Sequence, residues 1–346
     1  MNSQPKYIIV GAGLAGLTCA YELLKRGEKD FLILESRDRV GGRILTRNGI
    51  DFGATWFQGH HQHVHRLCRE LGIAQFPQYS QGQSILVYSS MAPAHHFEND
   101  PSATPASRIT DGTSALIKAL ADQLTDHITL NTKVASVHEV QGKLKVATNQ
   151  GNYSSDKMVI TVPPLIATII HYEPALPAAV VTAMENTHTW MSNAIKLGMT
   201  FRKPFWRDSG LSGMIIGQNG PVTELYDHSN AEDSKYALMG FVNEALRDFS
   251  EEDRKRRILD YLSKHLGQEV LEYLSYEVKD WSEDWHTSCE SIKSFYMSPQ
   301  YGDPVFHETY LDNTLIFSGA ETSPTYGGYM DGAIHSGMIA ASKLTD

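Results

Sequence analysis

Cysteine is scarce in this chain of 346 residues: Cys19, Cys68 and Cys289 are all there are, and no two of them form a C-x-x-C pair. That argues against a disulfide framework and a thiolate zinc site, and it suits a reducing compartment. Positive charge is also in short supply, with 30 Lys and Arg against 40 Asp and Glu and a formal charge of −10. Nucleic acid or an anionic membrane surface is a poor partner for such a chain. Long apolar runs are missing. The stretch from Tyr7 to Leu24 comes nearest to a signal or a membrane span, but three spaced glycines and Glu22 interrupt it, and it reads in full as a strand plus a helix. With no other such stretch and no anchor before Asp346, a soluble, cytoplasmic protein is expected. Repeats and low-complexity tracts are absent too. Histidines crowd residues 59–65, where His61 and His65 could share a helix face, yet no acid or cysteine completes a ligand set. They read as solvated residues at the polar start of a helix through Val64, Leu67, Cys68 and Leu71, and no metal is expected.

What the chain does have is glycine in the right places. Tyr7 to Val10 form a short apolar run, as a buried parallel strand requires. Gly11, Gly13 and Gly16 follow at G-x-G-x-x-G spacing. The first allows a tight turn, the second lets a pyrophosphate approach the backbone, and the third lets a helix sit close to the sheet. The helix pattern of Leu14, Leu17, Ala20, Tyr21 and Leu24 ends at Gly27, and its N-terminus offers unpaired N–H groups to a phosphate. A second strand, Phe31 to Leu34, delivers Glu35, an acid placed to accept hydrogen bonds from an adenosine ribose. NAD and FAD both fit this far. Directly after it, Asp38-Arg39-Val40-Gly41-Gly42-Arg43 adds two glycines and an arginine, able to hold a further stretch of a longer cofactor.

Further along, Asp51 to Phe57 is again glycine-bearing and strand-like, and residues 78–107 turn irregular, with Pro93, Pro101 and Pro105, as a short excursion into a second domain. At 346 residues, two domains are expected. Asp111-Gly112-Thr113-Ser114 caps a helix through Leu116, Ile117, Leu120 and Leu124, Ile128 to Val134 reads as a strand, and Val137 to Thr148 alternates like an exposed hairpin. Lys196 is the first charged residue of a strand leading to Pro204-Phe205-Trp206; such a lysine either finds a buried partner or snorkels to water at a strand edge. Near the C-terminus, Leu315 to Phe317 is a strand, Ser318-Gly319-Ala320-Glu321 a turn, and Gly327-Gly328-Tyr329-Met330 opens a last helix.

The R-x-G-G-R turn, the lysine upstream of P-F-W and the G-x-E-T…G-Y-M-x-G-A segment together resemble the flavin-containing amine oxidase family. The resemblance implies FAD, and a non-covalent site rather than a covalent one is expected. It implies an α/β fold, with a Rossmann-like FAD-binding domain (GR2-type) at 1–79, 108–185 and 281–346. A smaller α+β substrate domain on a mixed sheet would take 80–107 and 186–280. Cofactor contacts carry over to Gly11, Gly13, Ala15, Gly16, Glu35, Ser36, Arg37, Gly41, Gly42 and Arg43. They continue through Gly53, Ala54, Thr55, Trp56, Val134 and Trp281 to Gly319, Ala320, Glu321, Gly328, Tyr329, Met330 and Ala333. Lys196 matches the lysine that holds a water against flavin N5, and Tyr329 the tyrosine standing before the ring; both are the implied catalytic residues.

Two departures stand out. No tyrosine follows Trp281 to complete the aromatic cage: Glu290 or Ser291 takes its place, leaving Trp285 or Phe295 as the second wall. Cys289 lies near where some members bond the flavin, and is read as an inert small residue. The 78–107 excursion is also far shorter than the family's usual insertion, so a more open pocket is expected. The implied activity is hydride transfer from the carbon beside an amine nitrogen to the flavin, with an imine and then hydrogen peroxide as products. Its substrates would be a small amine or amino acid and oxygen, and turnover of a neutral amine would rise with pH. Another flavin reaction, such as isoprenoid desaturation or porphyrinogen or pyridine-nucleotide oxidation, or a non-catalytic flavoprotein, is the alternative. Oligomeric state is not encoded in these features.

Overall fold

The computed structural model describes residues 4–89, 91–217, 219–288 and 301–345. Its first sheet is built around Tyr7–Val10, whose residues are all buried, as a strand covered on both faces requires. Phe31–Leu34 pairs with it in parallel on one side and Lys157–Ile160 on the other. Ile128–Thr129 lies beyond the former and Leu315–Phe317 beyond the latter, with Thr309–Tyr310 antiparallel at the edge. The chain thus moves from the first strand toward one edge and later returns on the other side. In such a sheet the ligand crevice opens at the carboxyl ends of the strands where that reversal falls. This is the Rossmann-like α/β architecture expected from the glycine turn.

Two helices flank the crevice. Leu14–Lys25 follows the first strand, and Met330–Thr345 packs on it. They cross nearly backbone to backbone: a Cβ at Gly337 would lie 2.4 Å from the Ala15 carbonyl oxygen. A four-stranded sheet, Gly151–Ser155, Lys143–Thr148, Val134–Val140 and His171–Glu173, packs against the opposite side. The hairpin is not the exposed one that its alternation suggested. Val137, Leu144 and Val146 are buried, because one of its faces closes a core with Ile8, Val10 and Met158. Its two-residue turn, Gln141 and Gly142, has positive φ at both positions, matching the twist of the strands.

A seven-stranded sheet forms the other half: Ser275–Asp280, Ile195–Phe201, Tyr236–Val242, Val222–Asp227, Leu211–Gly217, Gln83–Val87 and His95–Glu98. It is mixed, since Leu211–Gly217 meets Gln83–Val87 in parallel while its other pairs are antiparallel. Glu251–Leu266 covers one face through Ile258, Leu262 and Leu266, and Ser250 caps its N-terminus by accepting the Asp253 N–H. An acidic first turn suits the positive end of the helix dipole.

Two further readings need correction. Residues 78–107 are not irregular: Gln83–Val87 and His95–Glu98 belong to this sheet, and Ser107–Ile109 pairs with Gln75–Pro77. The prolines at 93, 101 and 105 fall in the connections, where no ladder hydrogen bond is needed. Ile128 to Val134 is not one strand either. Ile128–Thr129 pairs in the parallel sheet, Asn131, at φ 55°, turns the chain out of that ladder, and Val134 already opens a strand of the four-stranded sheet.

Candidate active site

A cleft of about 1290 Å³, counted with the space open to solvent, runs along the carboxyl ends of the parallel strands. At its nucleotide end Glu35 is buried, its carboxylate accepting the Ala12 N–H at 2.7 Å and the Arg37 N–H at 2.9 Å. The Arg37 guanidinium donates to Asp284 at 2.7 Å and Thr287 at 2.8 Å. Burial works to raise the Asp284 carboxyl, but Arg37 beside it outweighs that and holds it below the usual range. Ser36 Oγ meets His286 Nδ1 at 2.9 Å. Trp285 lines the same cleft, next in the chain to His286.

The middle of the cleft tests the dinucleotide reading. A Cβ at Gly16 would lie 2.0 Å from the Gly11 carbonyl oxygen, so this glycine serves helix–strand contact. A Cβ at Gly13, by contrast, would meet no protein atom within 4 Å and would project into the cleft that Gly13 lines. That bare backbone at a helix N-terminus fits a pyrophosphate. Thr161 Oγ1 staples the turn by donating to Val10 O at 2.8 Å. Gly41 and Gly42 lie alongside, both at positive φ, and Arg39 donates to the Gly42 carbonyl at 2.9 Å.

Arg43 also lines the cleft and is held bidentately by Glu321, with Nη2 to Oε2 at 2.9 Å and Nη1 on Oε1; Nη1 also donates to Thr189 Oγ1. Glu321 is fully buried. Burial would raise its carboxyl, and Arg43 outweighs that and keeps it low.

At the far end stand Tyr329, 53% exposed, and Trp190, 40% exposed. The Trp190 indole donates to the Gly328 carbonyl at 3.3 Å, which sets it beside Tyr329, and its ring lies 6.4 Å from Phe241. His61 packs 5.4 Å from the Tyr329 ring and is buried; the solvated-histidine reading fails there because Tyr326 and Tyr329 cover it.

Ala54 lines the cleft, and Lys196 lies behind it. Lys196 is fully buried, which excludes the snorkelling alternative. Its Nζ donates to Gly53 O at 2.7 Å, Thr55 Oγ1 at 2.9 Å and Asp51 O at 3.2 Å. The rings of Phe241 and Trp56 stand 4.9 and 5.5 Å from the same atom. Three acceptors suit the three N–H bonds of an ammonium. Burial pulls the other way, lowering the group to about 7 against the favourable charges of Asp51 and Glu224. Strand register puts Lys196, Phe241 and Glu224 on one face of the seven-stranded sheet.

Of the residues implied as cofactor contacts, Gly11, Gly13, Ala15, Glu35, Ser36, Arg37, Gly41, Gly42, Arg43, Ala54, Val134, Ala320, Gly328, Tyr329, Met330 and Ala333 all line this one cleft. Others stand behind it. Gly16 and Gly53 allow close backbone contacts, Glu321 backs Arg43, and Thr55 binds Lys196. The Trp56 indole donates to Gln78, that of Trp281 to Phe52 O at 2.7 Å, and Gly319 N–H to Ser336. Cys289, Glu290, Ser291 and Phe295 lie outside the described residues. Missed were Trp190, Thr161, His286 and Thr287. Thr161 directly follows a parallel strand beside the glycine turn, a position that the carboxyl-end rule points to.

The chain is 25% identical to a probable flavin-containing monoamine oxidase A of Dictyostelium discoideum, over 457 aligned positions covering 100% of this chain and 98% of that one. An alignment so much longer than the chain carries large gaps on this side. The fold matches that of a putrescine oxidase bound to putrescine, with a TM-score of 0.87 at 22% identity and 100% of each chain covered. It also matches a cyclohexylamine oxidase from Brevibacterium oxydans IH-35A, with a TM-score of 0.86 at 19% identity and 98% of each chain covered. The family described as flavin containing amine oxidoreductase matches residues 14–102 and 82–345. With nearly its whole length matched, the chain belongs to the flavin-containing amine oxidoreductase family, whose chemistry is the FAD-dependent oxidation of amines.

Proposed function

We propose that the protein is an FAD-dependent oxidase of small neutral amines, with oxygen as the final electron acceptor. The observation that carries this is one continuous cleft, joining the two glycine turns to a mouth walled by Tyr329 and Trp190, with a buried lysine behind Ala54. Glu35 and Arg37 would hold the adenosine, Gly13, Gly42 and Arg43 the pyrophosphate, and Ala54, Gly328 and Met330 the ring system. When bound there, FAD accepts the two electrons of C–N oxidation and passes them to oxygen as hydrogen peroxide.

The protein's share is orientation, exclusion of water and proton placement. Tyr329 and Trp190 offer ring faces to the carbon beside the amine nitrogen, and the amine reacts unprotonated because its nitrogen lone pair must be free to form the C=N bond as hydride leaves that carbon. We read Trp190, rather than Trp285, as a second wall; Phe295 lies outside the described residues. Lys196 has no N–H to spare as an ammonium, because all three are taken by protein acceptors. On losing a proton near neutrality it releases one of them and gains a lone pair that accepts from a water or a substrate N–H. A simple amine is a better substrate than an amino acid, since both arginines of the cleft are committed, Arg37 to Asp284 and Arg43 to Glu321, and neither is free for a carboxylate. We also read FAD as non-covalently bound, the protein as cytoplasmic, as its buried free thiols Cys19 and Cys68 suit, and the chain as divided at the boundaries given above. No described helix is long and apolar enough to cross a membrane.

The test is oxygen consumption and peroxide release with a panel of primary amines, diamines and amino acids. Peroxide formed in equal amount to amine consumed supports the reading. Turnover confined to lipid-like or pyridine-nucleotide substrates would overturn it.

A further inference from the structure

Behind Lys196, on the side away from the cleft, lies a buried polar cluster that cofactor binding does not require. Asp51 and His228 are both buried, and they meet through the Asp51 backbone, whose N–H donates to His228 Nε2 at 3.1 Å. Nε2 is therefore an acceptor and His228 is neutral; burial, with Arg108 and Lys196 nearby, holds its pKa well below the usual value. The Asp51 carbonyl oxygen accepts from Lys196 Nζ at 3.2 Å. One peptide segment thus joins the histidine to the lysine.

The carboxylate of Asp51 is pinned from another direction. Its Oδ1 accepts from Thr46 Oγ1 at 2.6 Å and from the Thr113 N–H at 2.9 Å, while its Oδ2 has no hydrogen-bond partner among the described residues and lies 3.6 Å from His228 Nε2. Thr113 begins the helix Ser114–Asp122, yet its side chain caps nothing there; it serves Asp51 and the Ala54 carbonyl instead. Arg108 closes the cluster by donating to the backbone oxygens of His228 and Ser229. A buried, under-satisfied carboxylate is costly and calls for an explanation.

We propose that Asp51 and His228 form the positioning pair of Lys196: His228 fixes the Asp51 backbone so that its carbonyl meets the ammonium, and the Asp51 carboxylate supplies a buried negative charge that favours the lysine's protonated form. This rests on the reading of Lys196 given above. Burial raises the Asp51 carboxyl, against the lowering effect of Thr46, Thr113, Arg108 and Lys196; as a carboxylate it joins Glu224 in favouring protonated Lys196, Arg108 opposes this, and His228 adds no charge.

The experiment is an NMR titration of lysines labelled at Cε in the flavin-loaded protein, with the Lys196 signal assigned by its loss in Lys196→Met. Asp51→Asn keeps the shape and the threonine contacts but removes the charge. The Lys196 midpoint is expected to fall by roughly one pH unit or more, with flavin still bound. An unmoved midpoint would overturn the proposal. Should Asp51→Asn not fold, His228 carries the test. His228→Leu removes the acceptor and is expected to lower kcat several-fold at unchanged KM, whereas His228→Gln, which keeps an acceptor, restores it; equal kcat in the two variants would contradict the proposal. Failure of the amine-oxidase reading is a separate result, seen as no turnover of any amine, and leaves the titration readable.

Discussion

Lys196 Nζ and the Gly53 carbonyl oxygen are 2.7 Å apart, with Nζ the donor, and the residue after Gly53, Ala54, lines the cofactor cleft. The lysine thus grips the strip of backbone that walls the cleft. Lys196→Met removes the grip and the titrating group while keeping the volume. Rapid mixing with amine, and separately with oxygen after reduction, should show at least one half-reaction slowed by roughly 10²-fold, the lower range for a positioned proton-transfer group. Two unchanged half-reactions would remove Lys196 from the mechanism.

The same burial gives stability a pH dependence. In the unfolded chain Lys196 keeps its proton to about its usual 10.5, and in the fold only to about 7. Between those limits the unfolded chain binds more protons, so this residue's contribution to stability rises with pH and is least favourable below pH 7. Urea unfolding from pH 6 to 10 should show a steeper rise for the parent than for Lys196→Met. Parallel curves would mean that the lysine is not depressed.

Two glycines of one motif should behave differently. Gly13 has φ −77° and ψ 179°, open to any residue, and a Cβ there meets no protein atom. Gly13→Ala should fold as well as the parent and bind FAD about tenfold or more weakly, read by flavin fluorescence and by unfolding of the flavin-free protein. At Gly16 the new methyl would press on the Gly11 carbonyl oxygen, so Gly16→Ala should lose stability and flavin together. Full FAD affinity in Gly13→Ala would place the pyrophosphate elsewhere.

Arg43→Met would strand the Glu321 carboxylate, buried with no other cation bonded to it among the described residues. Breaking a buried pair from one side costs about 3–5 kcal/mol. Denaturant titration of the flavin-free variant measures this apart from cofactor loss. A change below about 1 kcal/mol would show that Glu321 finds another partner or a proton.

The nucleotide half of the cleft was legible in the sequence because its signals are local. Gly11, Gly13, Glu35 and the Arg39–Arg43 turn sit within one strand–helix–strand unit, where spacing alone brings them together. Tyr329 and Met330 were legible through the same kind of glycine-opened helix. What spacing could not convey is depth. Glu321 and Trp281 came out as cofactor contacts, but one stands behind Arg43 and the other bonds the Phe52 carbonyl, because a contact in the line of chain says nothing about which layer a side chain occupies. His61 read as polar and solvated, and tyrosines more than 260 positions away bury it. Trp190 and His286 went unnoticed for the same reason: each reaches the cleft from a segment whose own pattern carries no ligand signal. The sheet built from residues 83–98 and 195–280 was only partly visible, since Ile85-Leu86-Val87 is too short a run to stand out among prolines and polar residues.

The most direct measurement is anaerobic: the visible absorbance band of the bound flavin is followed after mixing with a panel of simple amines and amino acids, from pH 6 to 9. Bleaching by amines and not by amino acids, faster as pH rises and reversed by air with release of peroxide, is the expected result. Flavin that dithionite reduces but no amine bleaches at any pH would contradict the assignment.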